Sequence, residues 1–362
     1  NFGPQYLYVA ALDTKASVEY EWMAAAEGIN STSRKFIGKP ASKDAPTRFL
    51  VFGDMGRNGG GFVLEQLERE VNGSAGQPPV LSLMHLGDFA YDLFDDGTKN
   101  GARFFRRIDS IASRFPYHSL PGNHEIQVDS FAAYRFMFAN QPFGMASDGG
   151  GEGWQMWYSI ELGNAVWFML SSEVYFSSPK LGAAAQEAWF EAELKRINED
   201  PKYKNHWRIA AVHRPMYCSN IDHDACATWQ TNPVRIGLED IAFRGGIDLF
   251  FGAHEHSLEQ TYPVVNGTWT KSAPPFINPT YIPHIVTGFA GCDEDSGACL
   301  NALNSTLQPF SWFGSSAEGQ YSFGRLDVPN ATHLHWESVL VEEGNAVEGG
   351  FWMVKDKHGP RM

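Results

Sequence analysis

The chain has 362 residues, 43% of them hydrophobic and 19% charged, so it can bury a large core in one or two domains. Its net charge of −14, from 28 basic and 42 acidic residues, argues against the broad cationic surface that nucleic-acid binding needs. The longer apolar runs, Ala165 to Leu170 and Ile209 to Val212, fall far short of the roughly 18 residues that cross a bilayer, which predicts no membrane span.

In chain order, a polar stretch with prolines, Lys39 to Thr47, reads as a linker after the first 40 or so residues. Strand-length apolar runs follow at Phe49 to Phe52, Val80 to Leu86, Tyr117 to Leu120, Ala165 to Leu170, Arg208 to Val212 and Asp248 to Phe251. Amphipathic stretches at Phe62 to Val71, Ala102 to Arg114, Ala183 to Asn198 and Arg235 to Phe243 alternate with them, the order of an α/β layered core. Beyond Gly252, strand signals separated by Pro and Gly (Ile285 to Thr287, Tyr321 to Val328, Thr332 to Leu340, Phe351 to Val354) predict a mainly β second half.

Polar side chains with metal-binding chemistry stand where five of these runs end. They are Asp54 in Gly53-Asp54, Asp88 and Tyr91 in Gly87-Asp88-Phe89-Ala90-Tyr91, Asn123 in Gly122-Asn123-His124-Glu125, His213, and His254 and His256 in Ala253-His254-Glu255-His256. The carboxyl ends of strands in an open α/β sheet share one edge, so groups some two hundred residues apart can converge there. Two Asp, one Tyr, one Asn and three His form a mixed nitrogen and oxygen set without thiolate, suited to hard or borderline ions and larger than one ion needs. With Asp88 bridging, Asp54, Tyr91 and His256 complete one site and Asn123, His213 and His254 the other. A phenol of ordinary pKa about 10 ionises in acid only beside a strong Lewis acid, which favours Fe(III) next to Tyr91 and leaves Zn, Fe or Mn as the divalent partner.

Four cysteines in two close pairs and five N-x-S/T sequons, at Asn30, Asn72, Asn266, Asn304 and Asn330, suit a secreted or lumenal protein. The preferred pairing is local, Cys218 with Cys226 and Cys292 with Cys299, with the two other connectivities left open. The start at Asn1, without a methionine or a visible signal peptide, suggests processing or truncation upstream. His85, His118, His206, His284, His333, His335 and His358 lie outside the motifs and read as packing or surface residues, as Trp157, Trp167, Trp189 and Trp207 read as core. Glu125 and Glu255 are candidates for orienting the imidazoles.

Taken as a set, Gly53-Asp54-Met55-Gly56, Gly87-Asp88-Phe89-Ala90-Tyr91, Gly122-Asn123-His124-Glu125, His213-Arg214-Pro215-Met216-Tyr217 and Ala253-His254-Glu255-His256 resemble the five metal-site motifs of the purple acid phosphatases. The Cys218 to Cys226 segment and the histidine-rich motif look most like the animal-type (type 7) branch. The resemblance implies a metallophosphoesterase fold over 46–362, two packed mixed β-sheets flanked by helices. It implies the same seven ligands, with His124 and His223 facing the substrate, and hydrolysis of phosphate monoesters by a metal-activated hydroxide. Ala253, Leu258 and Gln260 depart from residues common in the family, which bears on substrate preference and not on metal binding; Asp222 stands where some members have a second histidine, so leaving-group protonation would rest on fewer imidazoles. Residues 1–45 look like the last strands of a fibronectin-III-like domain. Two other functions are weighed: a phosphodiesterase or nucleotide pyrophosphatase with the same centre, and an inactive, metal-retaining binding or adhesion protein.

Overall fold

A computed structural model of the chain describes residues 12–26, 29–38, 42, 44–57, 61–73, 76–126, 131–138, 156–177, 182–220, 226, 228–292, 306–315, 321–341 and 346–361. Two seven-stranded mixed sheets form its body. In the first, Thr47–Phe52, Val80–His85 and Tyr117–Ser119 run parallel, and Ser322–Val328 joins the other flank of Thr47–Phe52 antiparallel. His333–Leu340, Ala346–Val354 and the short edge strand Phe276–Ile277 complete it. In the second, Ala165–Met169, Trp207–Ala211, Leu249–Gly252 and His284–Thr287 run parallel. Tyr158–Leu162 closes one side of it, and Leu258–Thr261 and Ser311–Ser315 the other.

The parallel strands are covered on both faces, which is why they read as continuous apolar runs: all six residues of Thr47–Phe52 and all five of Trp207–Ala211 are buried. Between the sheets lies an aromatic relay in which Phe49 meets Trp167 at 5.3 Å, Trp167 meets Phe251 at 5.6 Å and Phe251 meets Trp336 at 5.1 Å. Truncating one such ring, as in Trp167→Ala, would cost about 3–5 kcal/mol. The outer faces are covered by the helices Gly61–Val71, Lys99–Ala112, Ala183–Glu199 and Pro233–Gly245. Lys99–Ala112 buries Phe104, Ile108 and Ile111, one stripe at helical spacing. Pro233–Gly245 is punctuated at both ends. The Asn232 side chain accepts the backbone N–H of Val234 and Arg235, Pro233 fills the first position, and Gly246 takes the left-handed conformation beyond the last turn.

The strand Leu258–Thr261 escaped the sequence reading because Leu-Glu-Gln-Thr is polar. It is nonetheless buried, the Glu259 carboxylate accepting Ser219 N–H and the hydroxyls of Ser219 and Ser311. Near the start of the chain, Glu19–Trp22 pairs antiparallel with Arg34–Ile37. This hairpin rests on the helix Lys99–Ala112 through Trp22 Nε1–H, which donates to Ser113 O at 3.1 Å, and an Arg34–Asp109 ion pair. No helix among the described residues is long and apolar enough to cross a membrane.

Candidate metal centre

Both sheets deliver side chains to one place. Thr47–Phe52, Val80–His85 and Tyr117–Ser119 of the first sheet lead into Asp54, Asp88 and Asn123, while Trp207–Ala211 and Leu249–Gly252 of the second lead into His213 and His254. Backbone bonds hold these strand ends together: Asp54 N–H donates to Gly87 O at 3.1 Å and Ala253 N–H to His213 O at 2.7 Å. Four of the turn residues are in the left-handed region, Asp54 at φ 60°, Asp88 at 53°, Tyr91 at 42° and His254 at 65°. Non-glycine residues adopt it at a cost of order 1–3 kcal/mol each, and such strain clusters at functional sites. Glycine is required where the loops touch: a Cβ on Gly122 would stand 2.2 Å from Asp88 Oδ1, and one on Gly87 2.7 Å from His213 Nδ1.

The donors form two linked groups. In one, Tyr91 OH lies 2.9 Å and Asp54 Oδ1 3.4 Å from His256 Nε2. In the other, His213 Nε2 lies 3.0 Å from Asn123 Oδ1, 3.2 Å from Asp88 Oδ2 and 3.2 Å from His254 Nδ1. His254 N–H donates to Asp54 Oδ2 at 2.9 Å and joins the two. Ligand atoms about 2.1 Å from a tetrahedral ion stand roughly 3.4 Å apart, and closer at higher coordination number, so these spacings match the edges of a coordination polyhedron. Asp54 Oδ1 is buried without a hydrogen-bond partner, an uncompensated lone pair that a cation would satisfy. The residues present therefore fit a pair of metal ions.

The surroundings fix the donors. His213 Nδ1 faces Leu86 O at 2.7 Å, which places a ring proton there and directs Nε2 toward Asn123 and Asp88. Burial alone would push the His213 imidazole down, but the carboxylates of Asp88 and Asp54 overcome it and lift it to about 10. Burial opposes ionisation of Asp88 too, yet His213 and His124 hold its carboxyl well below the usual range. Glu125, expected to orient an imidazole, instead binds backbone: it accepts the N–H groups of Asp88 (2.8 Å), Phe89 (3.1 Å) and Gly122 (2.8 Å), lashing two ligand loops together. Burial and the Asp88 charge push it up to about 8. Glu255, between two of the histidines, is anchored by Asn220 Nδ2 at 2.6 Å.

All seven sequence-predicted ligands are thus brought together. His124 stands beside them, its ring 4.4 Å from that of Tyr91, while His223 lies outside the described residues. Sequence reasoning missed Asp92, whose Oδ1 is 3.0 Å from His124 Nδ1, a partner suited to a protonated imidazole. Its only signal was its place next to Tyr91. The non-motif histidines pack as expected: burial pushes His85 and His284 down to about 3 and His118 to about 4, so they stay neutral in the core. Cys218 and Cys226 form a disulfide. Cys299, the expected partner of Cys292, lies outside the described residues.

Similarity to known proteins agrees with this geometry. The calcineurin-like phosphoesterase family matches residues 47–258, and the iron/zinc purple acid phosphatase-like protein C family matches 281–348. Acid phosphatase type 7 of Danio rerio is 36% identical over 330 residues, 86% of this chain and 69% of that protein. The Homo sapiens acid phosphatase type 7 is 33% identical over 329 residues, with 87% and 69% covered. The purple acid phosphatase PPD1 from yellow lupin seeds superposes with a TM-score of 0.73 at 20% identity, over 94% of this chain and 60% of that one, a likeness of fold alone. Sequence, fold and similarity agree that the chain belongs to the purple acid phosphatases, metal-dependent hydrolases of phosphate monoesters with an iron ion and a divalent ion at their centre.

Proposed function

We propose that Asp54, Tyr91 and His256 hold Fe(III), that Asp88 bridges, and that Asn123, His213 and His254 hold a divalent Zn, Fe or Mn ion, the whole acting on phosphate monoesters in acid. The observation that carries this is the convergence of the donors at 2.9 to 3.4 Å around His256 Nε2 and His213 Nε2, beside an Asp54 Oδ1 that is buried without a hydrogen bond. When bound, the ions supply Lewis acidity for phosphoryl transfer to water. The chain's own residues do the rest. Asp54, Asp88 and ionised Tyr91 bring three negative charges, fewer than the five positive charges of the ion pair, so the centre still attracts an anionic ester. Glu125 and Leu86 O hold the bridge and the His213 ring in place, so little reorganisation accompanies the reaction. His124, oriented by Asp92, hands a proton from its ring to the departing alkoxide, a role shared with His223.

Kinetics on p-nitrophenyl phosphate and bis(p-nitrophenyl) phosphate at acid pH, with metal analysis, test the reading. Monoester turnover by protein holding iron and a divalent ion is the expected result. Preference for the diester would replace it with a phosphodiesterase, and ion-loaded protein without turnover would point to a binding protein. A visible phenolate-to-iron absorption band that disappears in Tyr91→Phe would assign that ligand.

The reading extends to the rest of the chain. Residues 1–45 end a fibronectin-III-like domain, 46–362 form the catalytic unit, and Cys292 pairs with Cys299. A secreted or lumenal location with N-linked glycans at Asn30, Asn72, Asn266, Asn304 and Asn330 accords with the Cys218–Cys226 disulfide and with the exposure of Asn30, Asn72, Asn266 and Asn330. Asn304 lies outside the described residues.

A further inference from the structure

Tyr91 is held from behind as well as from the centre. Its loop leaves the strand Val80–His85, carries Asp88, Tyr91 and Asp92, and runs on to the helix Lys99–Ala112. Asn100, the second residue of that helix and almost completely buried, turns its side chain back onto the loop. Its Nδ2–H groups donate to Ala90 O at 2.8 Å and Asp92 O at 2.9 Å, the carbonyls on either side of Tyr91. Its Oδ1 accepts Arg57 Nη1–H at 2.7 Å, from the turn that follows Asp54. A guanidinium only donates and a carbonyl only accepts, so these partners fix which way the amide points. Backbone bonds close the loop: Asp95 N–H donates to Asp92 O and Asn100 N–H to Asp95 O, both at 3.2 Å, and Gly101 N–H to Leu93 O at 3.0 Å.

This grip matters because Tyr91 is left-handed at φ 42°, where a residue with a large side chain is strained. With the carbonyls before and after it anchored, Tyr91 leaves that conformation only by breaking one of these bonds. A loop free to relax would hold the phenol ready in only a fraction of molecules, and affinity for an ion falls by that fraction. The same amide anchors the backbone of Asp92, whose carboxylate faces His124. Leucine at position 100 would keep the branched outline of asparagine and donate nothing.

We propose that Asn100 is a positioning residue that holds Tyr91 ready for the iron. The inference rests on the assignment of Tyr91 to that ion. The test dialyses metal-loaded Asn100→Leu against graded chelator and counts both metals by plasma mass spectrometry. Iron retention should weaken by about 10-fold while the divalent ion stays within about threefold of the unaltered protein. The phenolate-to-iron band should shift, since it reads the approach of the phenol to the iron. On the full chain stripped of metal, hydrogen exchange should run about 10-fold faster at the amides of Asp95, Asn100 and Gly101 and be unchanged in the strand Trp207–Ala211. If Asn100→Leu fails to fold, Asn100→Ser replaces it with the same expectation, because its short hydroxyl cannot span both carbonyls. Iron retention within about twofold of the unaltered protein, loss of both ions to the same extent, or faster exchange with an unshifted band would overturn the proposal. A band that survived Tyr91→Phe would instead overturn the assignment of Tyr91, and this inference with it.

Discussion

The strands Trp207–Ala211 and Leu249–Gly252 have buried charge at both ends and treat it in opposite ways. At their starts, Asp248 is completely buried and fully answered: it accepts Arg208 N–H at 2.9 Å, His358 Nδ1 lies 2.8 Å away, and Lys355 Nζ pairs with its other oxygen. His358 reaches on to Ala331 O at 2.7 Å, and Arg361 donates to Ile247 O at 2.6 Å, so the C-terminal segment is fastened to the sheet. At the other ends, His213 and His254 turn their nitrogens toward each other at 3.2 Å on loops that include left-handed residues, near an Asp54 oxygen with no hydrogen-bond partner. Buried charge alone does not mark a site. Donors aimed at shared space and held at a conformational cost do.

That contrast predicts opposite mutational outcomes on the same two strands. At the end where the candidate donors converge, Asp88→Asn keeps the shape and removes the carboxylate charge proposed to bridge the ions; p-nitrophenyl phosphate turnover should fall about 10⁴-fold, ~5.5 kcal/mol at 1.36 kcal/mol per decade, while the unfolding midpoint changes little. Retention of more than about one-hundredth of the activity would remove Asp88 from the centre. At the other end, Asp248→Asn strands Lys355 and Arg361 and should destabilise by about 3–5 kcal/mol in guanidinium unfolding, with the activity per folded molecule intact. Burial raises the Asp248 carboxyl, but Lys355 and His358 overcome this and hold it well below the usual range. A depressed folded value stabilises above the unfolded pKa of about 3.9 and is lost as pH falls toward the folded one. The stability gap between the variant and the unaltered protein should therefore be full at neutral pH and shrink below about pH 4. A gap that widened in acid would contradict the pairing.

The two ends also differed in legibility. Asp54, Asp88, Asn123 and His254 stand just beyond apolar runs with a glycine one or two residues before them, and His213 directly follows such a run, so the five could be read as a set of candidate donors without knowing which strands adjoin. The central parallel strands were clear for the same reason, since burial on both faces writes an unbroken apolar stretch, whereas the antiparallel strands Tyr158–Leu162, Leu258–Thr261 and Ser311–Ser315 were not. Asn100 and Asp248 were not legible. Asn100 belongs to Thr98-Lys99-Asn100, which looks like any polar helix start until Arg57 and the Ala90 and Asp92 carbonyls are seen against it. Asp248 pairs with residues about a hundred positions later, and no spacing rule links them. Pairwise contacts of high sequence separation leave no local periodicity, whereas motifs at strand ends do.

Within the ligand end, a further step separates residues that hold ions from those that move protons. Asp92→Asn keeps the contact with His124 Nδ1 but not its charge, and should lower kcat on an alkyl phosphate, whose departing alkoxide must be protonated, by about 10- to 100-fold with both metals retained. The loss should be smaller for a substrate whose leaving group is a stable anion, because that group needs no proton. An equal loss across leaving groups would assign Asp92 to loop structure instead.

The smallest effect is expected where the structural end meets solvent. Asn330 belongs to the Asn330-Ala331-Thr332 sequon, and its Oδ1 accepts Thr332 N–H at 2.8 Å, the Thr332 hydroxyl at 2.9 Å and His333 N–H at 2.9 Å. Asn330 O accepts Trp207 Nε1–H at 3.0 Å, at the start of the strand whose far end carries His213. These bonds use the oxygens and not Nδ2, the atom to which an N-linked glycan attaches, so a glycan and the turn are compatible. Thr332→Ala abolishes the sequon and leaves Asn330 in place. Protein expressed through a secretory pathway should lose the mass of one glycan, with stability lowered by less than about 1 kcal/mol for the two exposed hydroxyl contacts, to Asn330 Oδ1 and His333 Nδ1, and kcat/KM unchanged. A change in kcat/KM from this substitution would mean that the structural end is coupled to the centre along the strand, and the division drawn between the two ends would fail.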